Sequence, residues 1–167
     1  MRQLVLSAVC GVIALAFVGC QGRSVLPPDI AGTWKAYDSP WKIVLSPDGK
    51  VASAVIPMGR VEIRPNRTTK VELRGGGIST YKVGDCTVDY TPETRELFVS
   101  VDVQEFHIVL MDKRLDSNIM YYLVGEVSKD GKIWEPNFIE VFGYGTRLAK
   151  DPNDLSATPL TFEKVKD

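Results

Sequence analysis

Glu105 and His107 are the pair of side chains in this sequence most suited to chemistry, and His107 is its single histidine. Two residues apart on a β-strand, they point to one face, where a carboxylate can orient an imidazole that acts as a general base. However, a zinc site needs three or four ligands, and no second histidine is present. No Gly-x-Ser-x-Gly segment supplies an activated serine. We therefore expect His107 to be an exposed polar residue, and we expect no metal, no cofactor and no catalytic activity.

Cys86 is the cysteine that would remain in an exported chain as an ordinary thiol. It alternates with Val88 and Tyr90, the pattern of a strand with one buried face. In that position a cysteine packs as a small apolar residue. A reactive thiol or an intermolecular disulfide is the alternative.

The N-terminus carries one charged residue, Arg2, before an uncharged and largely apolar run from Leu4 to Val18. This pattern is typical of a secretory signal. The alternative is a transmembrane helix, but the run would reach only roughly 22 Å as a helix, short of the roughly 30 Å hydrocarbon core. We therefore expect an export signal at residues 1–19.

The apolar run ends Phe17-Val18-Gly19-Cys20, which resembles the lipobox of bacterial lipoproteins, with phenylalanine where leucine is usual. The resemblance implies that Cys20 receives acyl chains such as palmitate and anchors the mature protein to a membrane of the cell envelope. Gln21 after the cysteine favours the periplasmic face of the outer membrane in bacteria that sort lipoproteins by this position. An ordinary cleavage site before a cysteine is the alternative. Residues 20–30, with the pair Pro27-Pro28, are predicted to form an extended tether.

Residues 31–167 have the length of a single domain. The net charge of the chain is −1, which argues against a nucleic-acid partner. One stretch is denser in basic residues: Arg60, Arg64, Arg67, Lys70 and Arg74. Glu62 and Glu72 alternate with them, so we expect the solvated outer face of a hairpin. An anion or lipid-headgroup site is the alternative.

Almost every segment after Ile30 alternates apolar and polar residues, in runs of strand length separated by turn residues. Roughly ten short strands and no long helix are predicted. Residues 60–64 are expected to pair with 70–74, and residues 96–103 and 106–110 to form separate strands. The predicted fold is all-β: an antiparallel barrel of about 8–10 strands, with a β-sandwich as the alternative.

Gly32-Thr33-Trp34 opens the first predicted strand and resembles the Gly-x-Trp signature of the lipocalin and calycin barrels. The resemblance implies that Trp34 closes one end of a barrel beneath a cation, supplied by Arg147 or Lys164. It also implies that the barrel binds a small apolar ligand. The predicted cavity-lining residues are Trp34, Val101, Phe106, Tyr121 and Phe138.

The hairpin sequence 128–134 resembles the Ser-x-Asp-Gly-x-x-Trp turn of discoidin-type sandwich modules. That resemblance implies a sandwich that recognises a glycan or another envelope protein. The barrel is the preferred interpretation, and the predicted function is non-catalytic ligand binding at a membrane surface. The sandwich is the alternative, and an enzyme ranks third.

Overall fold

The computed structural model describes residues 25–74, 76–110, 113–144, 147–148 and 156–166, with the backbone alone at 110, 113–115, 144 and 147–148. The predicted signal at 1–19 and Cys20 lie outside these residues. The described chain forms twelve β-strands. They are β1 (Gly32–Ala36), β2 (Lys42–Ser46), β3 (Lys50–Ile56), β4 (Val61–Ile63), β5 (Thr68–Glu72), β6 (Ile78–Thr91), β7 (Glu96–Leu110), β8 (Lys113–Val127), β9 (Ile133–Tyr144), β10 (Arg147–Leu148), β11 (Thr158–Pro159) and β12 (Phe162–Val165). A short 3-10 turn, Met58–Arg60, precedes β4. Within these ranges no helix has the length and apolarity to cross a bilayer.

Ten of the strands form one antiparallel path in the order β4-β3-β2-β1-β12-β9-β8-β7-β6-β5, and β10 and β11 pair with β9. The first and last strands of the chain pair with each other, with Trp34 opposite Lys164. The path curls into a nearly closed barrel. The predicted barrel is thus confirmed, and the alternative of a sandwich is wrong.

A seam separates β4 from β5, the two ends of the path, and corrects the predicted pairing of residues 60–64 with 70–74. Across it the Thr69 hydroxyl donates to the Glu62 carbonyl at 3.5 Å. The connection between the two strands is bound to β6 instead, because the Val83 amide donates to the Arg67 carbonyl at 2.9 Å. The basic residues nevertheless lie outside as predicted, since Arg64 is exposed while the core-facing positions of β4 are buried.

A β-bulge makes β7 continuous where the sequence analysis predicted two strands. The register with β8 passes from Val103 opposite Ile119 to Phe106 opposite Ser117, so β7 carries one extra residue there. The extra residue shifts the phase of alternation, and both Val103 and Phe106 face the core. The break predicted between residues 103 and 106 is therefore a point within one strand where the inward-facing positions shift by one residue.

Two turns of the same sequence type, Ser-x-Asp-Gly-Lys at 46–50 and 128–132, lie at one end of the barrel, which we call the lower end. In the second turn, the Ser128 hydroxyl donates to the Asp130 carboxylate at 2.7 Å and accepts from the Ile133 amide at 2.9 Å. These local bonds close the β8–β9 hairpin in the predicted place.

The segment before β1 packs on the lower end, in contrast to the extended tether predicted for it. Leu26 and Ile30 are buried in the core. The Leu26 amide donates to the Pro47 carbonyl at 3.0 Å, and the Ile30 amide to the Pro27 carbonyl at 2.9 Å. Burial of these two apolar side chains favours a turn on the barrel over an extended spacer. Any spacer is therefore confined to residues before Leu26.

Candidate functional site

Trp34 lies at the lower end, where it is fully buried. Its indole Nε1 donates to the Ile30 carbonyl at 2.9 Å. Lys164 is its direct partner across the β1–β12 ladder, and the Lys164 ammonium donates to the Pro28 carbonyl at 2.9 Å. Directly opposed residues share a face of the sheet, so Lys164, one of the two predicted cations, lies on the same face as Trp34. The Arg147 side chain lies outside the described ones.

Trp34 therefore belongs to a packed closure of the lower end. Its ring centroid is 6.1 Å from that of Trp134, in an edge-to-face arrangement. Phe162 lies 5.0 Å from Trp134 on the other side, and all three rings are fully buried. Such a layer excludes water from the base of the barrel.

Three other rings meet in the upper half of the barrel, away from the two Ser-x-Asp-Gly-Lys turns. Tyr121 and Phe138 stack with centroids 6.0 Å apart and planes at 25°. Trp41 packs edge-on against both, 5.2 Å from Tyr121 and 5.7 Å from Phe138. We call Trp41, Tyr121 and Phe138 the upper aromatic cluster. It contains two of the predicted ligand residues.

The other two predicted positions lie beside this cluster. Val101 is fully buried and pairs with Tyr121 across the β7–β8 ladder. Phe106 packs against Tyr81 at 5.0 Å, and the Tyr81 hydroxyl donates to the Met58 carbonyl at 3.4 Å. Of the five predicted residues, Val101, Tyr121 and Phe138 are thus brought together, Phe106 packs on Tyr81 further along β7, and Trp34 lies at the opposite end.

The three tryptophans of the chain differ in how their indole N–H groups are satisfied, although all three are fully buried. Trp34 donates to a carbonyl, and Trp134 donates to the Gly125 carbonyl at 3.2 Å. In contrast, Trp41 Nε1 has no hydrogen-bond partner in the described structure. The fully buried Tyr121 hydroxyl lies beside Glu140 and interacts with it. The upper aromatic cluster therefore holds a buried indole donor without a partner.

Glu140 is the carboxylate of this region. It lies opposite Tyr121 in the β8–β9 register, so it shares the inward face, and it is only partly exposed. Burial raises the pKa of Glu140, and the nearby Tyr121 hydroxyl opposes that rise. Burial, followed by the charge of Glu140, raises the pKa of Tyr121. The interior thus combines aromatic rings with an indole donor, a neutral phenol and a carboxyl group.

Trp41 and Glu140 are site residues that the sequence analysis missed. Both carried a signal: Trp41 is in phase with Ile43 and Leu45 of β2, and Glu140 is in phase with Phe138 on β9. A charged residue in an apolar phase is the pattern that could have identified Glu140. An indole donor, a phenol and a carboxyl group can hold a polar group by hydrogen bonds, and the surrounding rings can contact an apolar body.

His107 lies on the outer face of the barrel rather than in this interior. It contacts the Asp116 carboxylate through Nδ1, and its Nε2 lies 3.5 Å from Glu105 Oε2, which confirms that Glu105 and His107 share a face. Glu105 also pairs with Lys82 of β6. Glu105, His107 and Asp116 border a surface depression of about 210 Å³. The chain of charges bridges three strands, and His107 is partly buried in it rather than exposed as predicted.

The structure also describes the surroundings of Cys86 and of the basic stretch. Burial raises the pKa of the partly buried Cys86 thiol to about 11, which keeps it protonated at neutral pH. Arg64 and Arg67 border a surface groove of about 570 Å³ along the seam, where Arg64 pairs with Glu62 at 3.4 Å. The anion or headgroup site suggested for this stretch would lie in that groove.

Comparison with known proteins found no relative of this chain. No family model, no curated protein and no solved structure matches the chain.

Proposed function

We propose that this protein is a lipid-anchored protein of the cell envelope whose barrel binds a small, largely apolar ligand without covalent chemistry. The observation that carries the proposal is the fully buried and unpartnered indole donor, Trp41 Nε1. A buried donor left without a partner costs about 1–3 kcal/mol, and native proteins seldom leave one. A bound ligand would supply the missing acceptor.

The side chains around Trp41 Nε1 favour a mainly apolar ligand. The rings of Tyr121 and Phe138 can contact an apolar molecule, and Val101 lies opposite Tyr121 on the neighbouring strand β7. Because the lower end is closed by Trp34 and Trp134, entry would occur from the upper end, where Glu140 is partly exposed. Aromatic walls with a few convergent polar groups are typical of small-molecule sites.

In this proposal, the position of the lipid anchor indicates which end of the barrel faces the membrane. Cys20 at the end of the apolar segment would carry the lipid, and the chain from there to Leu26 spans at most roughly 20 Å. Leu26 is bound to the lower end of the barrel. The lower end would then lie near the membrane, with the upper opening turned away from it.

Native mass spectrometry of the gently purified protein tests ligand binding. We expect a co-purifying small molecule that is lost on denaturation and is reduced in Trp41→Phe, which removes Nε1 and keeps a ring. Tyr122→Phe is the matched control, because its hydroxyl contacts the sulfur of Met120 rather than the cluster. A clean apo mass, together with no saturable binding of apolar fluorescent probes, would contradict the proposal.

Lipidation is tested separately by growing cells with labelled palmitate. We expect label in the wild-type protein and none in Cys20→Ser, whereas Cys86→Ser keeps it. Equal labelling of the wild type and Cys20→Ser would show that the anchor is not at this cysteine.

A further inference from the structure

The charge distribution around the upper aromatic cluster indicates which polar group a ligand can carry. Glu140 faces inward beside Tyr121. Among the lysine and arginine side chains whose exposure is described, all are exposed except Arg95 and Lys164. Both are committed at the lower end: Arg95 Nε donates to the Val127 carbonyl at 3.0 Å, and Lys164 donates to Pro28. Neither of the two partly buried cations therefore lies at the cluster.

An anionic head group is further disfavoured because Glu140 would repel it. Two carboxylates sharing a partly desolvated site cannot both ionise without a large cost. A group that donates a hydrogen bond is favoured instead, because the oxygens of Glu140 accept hydrogen bonds in either protonation state.

The Trp41 indole imposes the opposite requirement. Indole Nε1–H is a donor only, so the ligand must present an acceptor to satisfy it. The Trp41 ring contacts Tyr121 at 5.2 Å, and Tyr121 is directly opposite Glu140, so the indole donor and the carboxyl acceptor both border the Tyr121 side chain. One compact head group that accepts and donates on adjacent atoms would serve both.

We infer that the barrel selects an apolar molecule with an amide-like head group, whose oxygen accepts from Trp41 Nε1 and whose N–H donates to Glu140, and that it rejects carboxylates. This inference rests on the proposed ligand-binding function. The head group is a neutral donor–acceptor pair and the tail contacts the rings of Tyr121 and Phe138.

Three six-carbon probes test the inference: hexanamide, hexylamine and hexanoic acid. Their affinities are measured at neutral pH by isothermal titration calorimetry on the whole protein, purified from membranes in a nonionic detergent, with a detergent blank. We expect hexanamide to bind at least tenfold more tightly than hexanoic acid and more tightly than hexylamine, which has no acceptor.

Two variants test separately whether the head group donates to Glu140 and whether it accepts from Trp41. Glu140→Gln should reduce the preference for hexanamide over hexanoic acid to about threefold or less, because the repulsion is gone. Glu135→Gln is the matched control, since Glu135 is an exposed residue of the same strand. Trp41→Phe should weaken hexanamide about tenfold while changing hexylamine little. Near-ultraviolet circular dichroism verifies that each variant keeps the folded aromatic cluster.

The outcomes separate this inference from the function on which it rests. Hexanoic acid binding as tightly as hexanamide would overturn the head-group assignment while leaving ligand binding intact. Hexylamine binding most tightly would overturn the acceptor requirement of Trp41. Saturable binding of none of the three, combined with a clean apo mass, would overturn the ligand-binding proposal itself, and the Trp41 indole would then be partnered by water.

Discussion

Glu140 is the residue at which the barrel departs most from a purely apolar interior, and its protonation is coupled to folding. Burial raises the pKa of Glu140 above the ordinary value of 4.5, so the folded state binds this proton more tightly than the unfolded state. The stabilising contribution is complete below the unfolded pKa and is lost as the pH rises through the folded pKa.

The first prediction follows from this sign. Glu140→Gln should raise the melting temperature relative to wild type at about pH 7, where the wild type holds or approaches a buried charge, and should change it less at about pH 4. Thermal unfolding followed by circular dichroism at both pH values measures the difference. Glu135→Gln should show no such pH dependence. A Glu140→Gln protein that is less stable than wild type at neutral pH would contradict the assigned burial cost.

The second residue-scale prediction concerns Cys86. Because its thiol pKa is raised to about 11 from 9.0, the thiolate fraction at about pH 8 is roughly a hundredfold below that of an ordinary thiol. We expect alkylation by iodoacetamide in the folded protein to be slower by at least that factor than in guanidinium chloride. Rapid modification of the folded protein would instead show an accessible, activated thiol.

A site residue could be predicted from the sequence when its side chain followed the alternation of apolar and polar residues along its strand. Tyr121 and Phe138 are apolar residues in the inward phase, so the pattern identified them. Glu140 occupies the same phase but is charged, so a search for apolar residues in that phase does not find it. Trp41 directly precedes β2, but its lack of a hydrogen-bond partner depends on which carbonyls lie nearby, and that is a property of the three-dimensional packing alone.

At the scale of elements, alternation predicted most strands but not the places where its phase changes. The bulge of β7 adds one residue between Val103 and Phe106, and a local pattern then indicates two strands instead of one. The seam was missed for a different reason: residues 65–68 have the sequence of a hairpin turn, but the Arg67 carbonyl is bonded to β6. The two Ser-x-Asp-Gly-Lys turns were predictable because their hydrogen bonds are local.

The close approach of β8 and β9 gives the third prediction. A Cβ at Gly125 would overlap the backbone carbonyl of Glu135, whereas a Cβ at Gly143 would overlap the end of the Asn118 side chain. Backbone in the middle of a hairpin yields less easily than a side-chain amide. Gly125→Ala should therefore lower the free energy of unfolding by about 2–3 kcal/mol, and Gly143→Ala by clearly less.

Urea unfolding of the two glycine variants measures both effects. The wild-type protein provides the reference slope, so that a changed midpoint can be assigned to stability. Equal losses in the two variants would mean that β8 and β9 can separate at Gly125 without disturbing the Trp134 closure beside it.

At the scale of the whole molecule, the lower end joins the beginning and the end of the described chain. Leu26 bonds to the β2–β3 turn, Lys164 bonds back to Pro28, and β1 pairs with β12. These contacts hold the segment that follows the proposed anchor against the base of the barrel. With the chain attached at Cys20 as proposed, we expect the lower end of the barrel to face the membrane.

The fourth prediction tests this orientation. Single spin labels are placed on exposed residues of opposite ends, at Lys129→Cys in the β8–β9 turn and at Asp38→Cys in the β1–β2 connection, in a Cys86→Ser background. With the mature protein in liposomes, a membrane-bound paramagnetic relaxant should act more strongly on the label at position 129. The chain between Cys20 and Leu26 reaches at most roughly 20 Å, so the lower end cannot stand far from the lipid. Stronger relaxation at position 38 would mean that the opening lies against the bilayer, and ligand would then enter from the membrane instead of from the aqueous compartment.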